Sequence, residues 1–307
     1  MEKRYPKTLM TTACVPWTKD FKIDEPLLRK EIDMLMSANS KSIYLFGTAG
    51  EGYAVNHSQF TDLVRILKDQ TSKDETVMPM VGVISLSLTD IIDRIEMAAA
   101  LGITDFQICF PSWGSVTQDE AHLFFRSVCD RFPELRFMHY NNFMRSKTKL
   151  NPDDYVALAD EFKNLVAVKF ITNSVSEVHQ LAALDSPLQF FLLDGLYGYA
   201  SMLGEFGLLI SLLNVSYKIA NQYFEAGTNK DFDTCLKIAD GFFKGHKALM
   251  KNCPPGSGKM DGAWDKTFVT FGIPEFPQSL HPPYIGFTDE QVASFKADMK
   301  QMLPDWF

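Results

Sequence analysis

Short apolar runs alternate with amphipathic stretches along the first two hundred residues, and no low-complexity linker interrupts them. Runs of strand length fall at 8–13, 42–46, 77–83, 104–109, 135–140, 165–169, 189–193 and 207–211. The stretches between them predict helices with recognisable starts: Asp24 ahead of Glu25-Pro26, Asn56 with Gln59, Thr117 with Glu120, and Asn151 ahead of Pro152. The first helix gathers Leu28, Ile32, Leu35 and Met36 on one face, and Gly102 stands as a helix stop.

Strands apolar on both faces, each followed by a helix, belong in a parallel sheet covered on both sides. For this many units a closed (β/α)8 barrel, the TIM barrel, is the economical solution, with an open doubly wound sheet as the second reading. Neither G-x-G-x-x-G nor G-x-x-x-x-G-K occurs to support a nucleotide-binding version. After residue 213 only helical patterns continue, as in "NVSYKIANQYFEAG" and "DFDTCLKIADGFFKGHKALMKN". The pattern predicts a barrel over residues 1–228 and a helical C-terminal extension packed on it over 229–307.

Composition narrows the partners. With 46% hydrophobic and 22% charged residues in 307, the chain reads as a soluble globular protein able to bury one large core or two smaller ones. A net charge of −8 without a basic run argues against nucleic acid and anionic membranes as partners and leaves a small molecule. "MEKRYPKTLMTTACVPW" develops no apolar signal region, and no segment has the length of a membrane span. The cysteines, at 14, 109, 129, 235 and 253, are scattered and form no C-x-x-C pair, which fits reduced, mostly buried thiols in a cytoplasmic protein.

In a barrel, chemistry gathers at the carboxyl ends of strands. "LVAVKF" ends the sixth strand with Lys169; alternation places Leu165, Ala167 and Lys169 on the interior face and Val166 and Val168 toward the helices. A lysine there either snorkels to the rim, finds a loop carboxylate, or serves as a nucleophile made reactive by an apolar site. In "LRFMHYNN" the fifth strand ends at Tyr140, which with Met138 faces inward; strands about 4.8 Å apart bring that phenol within reach of Lys169. His139 then points outward as a hydrogen-bonded core histidine. "FGTAGEG" is a glycine-rich strand-to-helix turn whose N–H groups, assisted by the Thr48 hydroxyl, suit an anion, although most such turns are only turns. Together, an amine, a phenol and a carboxylate-binding turn are what imine chemistry on a 2-oxo acid requires.

These three motifs resemble those of the dihydrodipicolinate synthase and N-acetylneuraminate lyase family: "GTAGEG" its G-T/S-T-G-E turn, "HYNN" its Y-N strand end, and "VAVKF" its lysine strand. Order and spacing match over roughly residues 8 to 300. The resemblance implies a class I, pyruvate-dependent aldolase on a (β/α)8 barrel, a homo-oligomer (dimer or tetramer), with no cofactor beyond a covalent imine on Lys169. It implies Lys169, Tyr140 and Thr48 as catalytic residues, and Ala49, Gly50, Arg145, Asp194, Trp113 and Leu209 as substrate-binding ones. Arg145 matches a position that binds the carboxylate of the synthase's aldehyde, and is otherwise a solvated loop arginine. Asp194 matches an aspartate that touches sugar hydroxyls in the lyase, but Gly195 replaces the glutamate that follows it there. Ala49 replaces a second hydroxyl in the turn, and Ser112 and Trp113 stand where the synthase has two tyrosines. These departures favour a lyase or dehydratase over the synthase.

Two rivals remain. A metal-dependent aldolase would need clustered ligands at strand ends, and the histidines at 57, 122, 139, 179, 246 and 281 offer no such cluster in the sequence. A non-catalytic protein that binds a 2-oxo acid would have no evident use for Lys169, Tyr140 and Thr48 together.

Overall fold

In the computed structural model, which describes residues 2–252 and 259–307, all eight apolar runs are strands. Cys253 lies outside the described residues; the other four cysteines are buried free thiols. The strands are β1 (Leu9–Thr12), β2 (Ser42–Leu45), β3 (Met78–Gly82), β4 (Asp105–Ile108), β5 (Arg136–Asn141), β6 (Leu165–Phe170), β7 (Gln189–Leu193) and β8 (Gly207–Leu209). Each pairs in parallel with the next, and β1 pairs with β8, so the sheet closes and the open doubly wound reading falls away. Closure leaves no strand edge exposed.

Helices α1 (Glu25–Ser37), α2 (His57–Thr71), α3 (Leu88–Ala100) and α4 (Gln118–Cys129) follow the first four strands. After β5 come α5 (Phe143–Ser146) and α6 (Asp154–Glu161), then α7 (Val175–Ala183) after β6 and α8 (Asp194–Leu203) after β7. The chain ends with α9 (Tyr217–Thr228), α10 (Phe232–Asn252), α11 (Asp261–Val269) and α12 (Asp289–Met302). Asp24 caps α1 by accepting from the Leu27 N–H, and Asn56–Gln59 and Thr117–Glu120 form reciprocal capping boxes. Gly102, at φ +85°, ends α3 as expected. The Asn151-Pro152 start is displaced: tight bonds from Asp154 N to Asn151 O and from Tyr155 N to Pro152 O come first, and the helix begins at Asp154. There the Asp154 carboxylate reaches back to the Asn151 N–H, which reverses the expected cap.

Two apolar layers result. The outer one lies between strands and helices, with Ile43, Leu45, Val81, Phe106, Phe137, Val168 and Leu192 meeting Leu28, Ile32, Phe60 and Phe125. The inner one fills the barrel with Met10, Tyr44, Met80, Met138, Ala167 and Phe191. Alternation fails in one place. The β5–β6 register slips between Phe137 and Met138, so Phe137 faces Leu165 but Met138 faces Ala167. The additional residue, Val166, turns inward beside Ala167, and Leu165 packs in the outer layer, opposite to the simple two-residue period. Beyond the bulge the period resumes, and Tyr140 pairs directly with Lys169.

The C-terminal helices pack onto α8 and the β8 end, where Tyr197, Leu208, Ile210, Leu249 and Phe268 share one buried cluster. Among the described residues no helix is long and apolar enough to cross a membrane.

Candidate active site

Lys169 is 6% exposed, yet no carboxylate pairs with it among the described residues. Its Nζ instead donates to Tyr44 Oη at 3.0 Å and lies 4.1 Å from the centre of the Tyr140 ring. The amine is therefore neither at the rim nor spent in a salt bridge. Tyr44, which the sequence reading did not single out, projects inward from β2 because Ile43 and Leu45 belong to the outer layer.

Tyr140 is 3% exposed, and its Oη accepts from Asn142 Nδ2 at 2.8 Å, leaving the phenol its own proton to give. Burial raises this phenol above its ordinary range, against the opposing charge of Lys169 and a hydrogen bond with Thr48. His139, one residue earlier, faces outward: its Nδ1 meets Tyr155 Oη at 2.7 Å between Phe110 and Phe125, and burial depresses it to about 3.

The turn after β2 is held in an unusual shape. Phe46 and Glu51 sit at φ +69° and +58°, where side chains other than glycine are strained. Phe46 is fixed by stacking on Phe60 at 4.9 Å. Glu51, itself fully buried, is held by Lys266, by Trp17 Nε1 at 3.0 Å and by the His281 N–H at 2.7 Å. Gly47 must lack a side chain, because a Cβ there would lie 1.8 Å from Tyr44 Oη, the oxygen that receives Lys169. Thr48 and Ala49 thereby border the pocket, and no protein acceptor takes their N–H groups among the described hydrogen bonds. Gly50 packs inside the turn against the backbone of Phe46 and Ala13 and does not border the pocket.

The pocket has a volume of about 350 Å³ at the carboxyl end of the barrel, and Lys169, Tyr140, Thr48, Ala49 and Leu209 meet in it. Besides Gly50, three expected substrate contacts are not brought there. Asp194 is fully buried at the start of α8, where its carboxylate accepts the Ser211 N–H at 3.0 Å and the Leu213 N–H at 3.2 Å. It pins the segment after β8 to the end of β7, and burial pushes its carboxyl up to about 6 despite those bonds. Trp113 is 82% exposed and does not line the pocket; its carbonyl accepts from Lys147 Nζ at 2.7 Å. Arg145 lies beside the pocket with its guanidinium ion-paired to Asp261.

The far wall comes from the C-terminal helices, which the sequence reading left without a role. Asp261, Trp264, Asp265 and Phe268 recur on one face of α11 at helical spacing and close over the amine together with Phe242 and Leu249 of α10. That spacing is visible in the sequence; the surface it covers is not. Burial pushes the Asp265 carboxyl up to about 8, helped by the charge of Asp261 and opposed by that of Lys169. No group of three His, Cys, Asp or Glu residues among the described ones is placed to hold a metal ion. Chemically, the arrangement offers an amine for addition to a carbonyl, a phenol for proton transfer, and a turn with open N–H groups and a hydroxyl for an anion.

Residues 5–300 match the model of the dihydrodipicolinate synthetase family. A 4-hydroxy-tetrahydrodipicolinate synthase of Chelativorans sp. is 23% identical over 253 residues, covering 81% of this chain and 85% of its own. The N-acetylneuraminate lyase of Proteus mirabilis superposes with a TM-score of 0.84 at 16% identity, over 97% of this chain and 99% of that one. YagE, a prophage protein of E. coli K12 solved in complex with pyruvate, superposes with a TM-score of 0.84 at 17% identity, over 96% and 98%.

Proposed function

The chain belongs to the dihydrodipicolinate synthetase family of class I aldolases and is a lyase of that family, and from that premise we propose that it cleaves or dehydrates a 2-oxo acid, with pyruvate as product or co-substrate. The observation that carries this reading is the direct pairing of Tyr140 with Lys169, which holds a buried amine 4.1 Å from the phenol ring in the pocket that Thr48 and Ala49 also line.

In this reading the Ala49 N–H and the Thr48 hydroxyl hold the substrate carboxylate. Lys169 Nζ adds to the ketone. Tyr140 protonates the resulting oxyanion, regains a proton from the added nitrogen and passes it to the departing hydroxyl, so that water leaves and an iminium remains. The iminium takes up the electron pair released when the bond beyond carbon three breaks, or when a proton leaves carbon three ahead of a hydroxyl. Hydrolysis returns the amine. The chemistry needs no cofactor, since the imine on Lys169 is the electron sink.

Dihydrodipicolinate synthesis is the second reading, supported by the names of the synthases that the sequence matches. Two features weigh against it: Ala49 lacks the hydroxyl of the family turn, and the Arg145 guanidinium is already paired with Asp261. A non-catalytic paralogue is the third. A homo-oligomer, dimer or tetramer, in the cytoplasm belongs to the same proposal, supported by the exposure of Trp113, Phe143 and Met144 together. The test is a pyruvate-release screen over 4-hydroxy-2-oxo acids, run beside condensation of pyruvate with aspartate semialdehyde. Release from at least one acid, at higher kcat/KM than the condensation, is the expected result. Faster condensation would establish the synthase, and no turnover of any kind the paralogue.

A further inference from the structure

Pyruvate is a three-carbon acid, too small to fill a pocket of about 350 Å³, so most of the space lies beyond the amine and belongs to the rest of the substrate. That space has a definite chemistry. Its walls are Trp264, Phe268, Phe242 and Leu249, broken by the carboxylates of Asp261 and Asp265, the Ser211 hydroxyl and the His246 imidazole. Among the described lining residues Lys169 is the only lysine or arginine, and the imine consumes it. Arg145, which reaches the lining residue Asp261, has its charge compensated by it.

We propose that this subsite takes an uncharged tail, so that the substrate is a 2-oxo acid ending in an aryl or alkyl group with a hydroxyl, rather than in a second carboxylate. The proposal rests on Lys169 being the imine-forming residue and goes on to name the substrate class. A tail carboxylate brought here would lose its hydration against aromatic walls and find no lysine or arginine free of an ion pair or the imine to offset that cost. An apolar tail replaces poorly hydrated surface instead, and its hydroxyl can be met by Asp261 or Asp265. With its carboxyl pushed up to about 8, Asp265 is mostly protonated at neutral pH and donates as well as accepts. Discrimination here comes from uncompensated desolvation of a charged tail as much as from fit.

Imine trapping reads this without requiring turnover. Each acid condenses with Lys169 and expels one water; hydride from borohydride then reduces the C=N bond to a secondary amine that mass spectrometry counts. Pyruvate, 2-oxo-4-phenylbutanoate and 2-oxoadipate are compared by the concentration giving half-maximal adduct. The phenyl acid is expected to need at least about tenfold less than 2-oxoadipate. Asp261→Ala, which releases Arg145, should lower the requirement for 2-oxoadipate by about fivefold or more. Equal or better trapping of 2-oxoadipate by the unaltered protein overturns the proposal while leaving the Schiff-base reading intact, provided pyruvate is trapped. Absence of a pyruvate adduct removes both. The wild-type comparison decides the matter even if the variant does not fold.

Discussion

Replacing Tyr140 by Phe removes one oxygen from the pocket and leaves the ring, so its effects can be worked out atom by atom. The ring remains packed over Lys169, and buried apolar area is unchanged. What is lost is the proton that the phenol supplies and the acceptor for Asn142 Nδ2 at 2.8 Å. The first loss should lower turnover by roughly 10²-fold or more, the usual scale for a positioned acid–base. The second leaves one amide donor unpaired at a pocket that water can enter, worth about 1 kcal/mol of stability. Asn142→Ala should weaken turnover less, by roughly three- to tenfold, because it removes one neutral hydrogen bond of about 0.5–1.5 kcal/mol that orients the phenol. It also removes the acceptor for the Met144 N–H that starts α5. If Asn142 acts through the phenol, its substitution should add almost nothing in the Tyr140→Phe background. Steady-state kcat for the four proteins of this cycle, beside their unfolding midpoints in urea, is the assay. A Tyr140→Phe enzyme within threefold of wild type would refute the proton-shuttle assignment, and two kinetic effects that multiply independently would refute the orienting role of Asn142.

Three further outcomes follow from buried polar groups. Asp194→Ala strips the acceptor from the Ser211 and Leu213 N–H groups and should cost about 2–5 kcal/mol in a urea titration; a loss under about 0.5 kcal/mol would contradict its role as a pin. Lys266→Met leaves Glu51 charged without a counter-ion in a fully buried site and should destabilise by about 3–5 kcal/mol, with weaker pyruvate binding as the turn relaxes, whereas unchanged midpoints would show the pair to be dispensable. Burial holds the Glu31 carboxyl up to about 8 against 4.5 for an ordinary glutamate, so between those values the folded chain keeps a proton that the unfolded chain has released. Stability contributed by that proton is complete below pH 4.5 and is lost as pH rises toward 8, at up to about 1.4 kcal/mol per pH unit. Glu31→Gln should remove this slope, and parallel pH profiles of the two proteins would disprove the assignment.

The strands were legible because residues between two apolar layers must be apolar on both faces, and caps such as Asn56–Gln59 were legible because both partners lie within one helical turn. Lys169 and Tyr140 could be matched by counting along adjacent strands. The same counting misplaced Leu165 and Val166, since a bulge answers to packing across the barrel and leaves no mark in a six-residue run. Asp194 looked available at a strand end, but the N–H groups that claim it come from residues 211 and 213, brought near only by closure. The acids of α11 show their helical spacing plainly, whereas the barrel mouth they cover is a fact of tertiary docking. Local physics was visible, and contacts across the chain were not.

Peptide-resolved mass spectrometry of the protein treated with pyruvate and borohydride reads directly whether Lys169 forms the imine. One reduced pyruvate adduct is expected, on Lys169, with loss of activity in step with its formation and no adduct in Lys169→Ala. An unmodified Lys169, or an adduct of the same yield that persists in Lys169→Ala, would contradict that role.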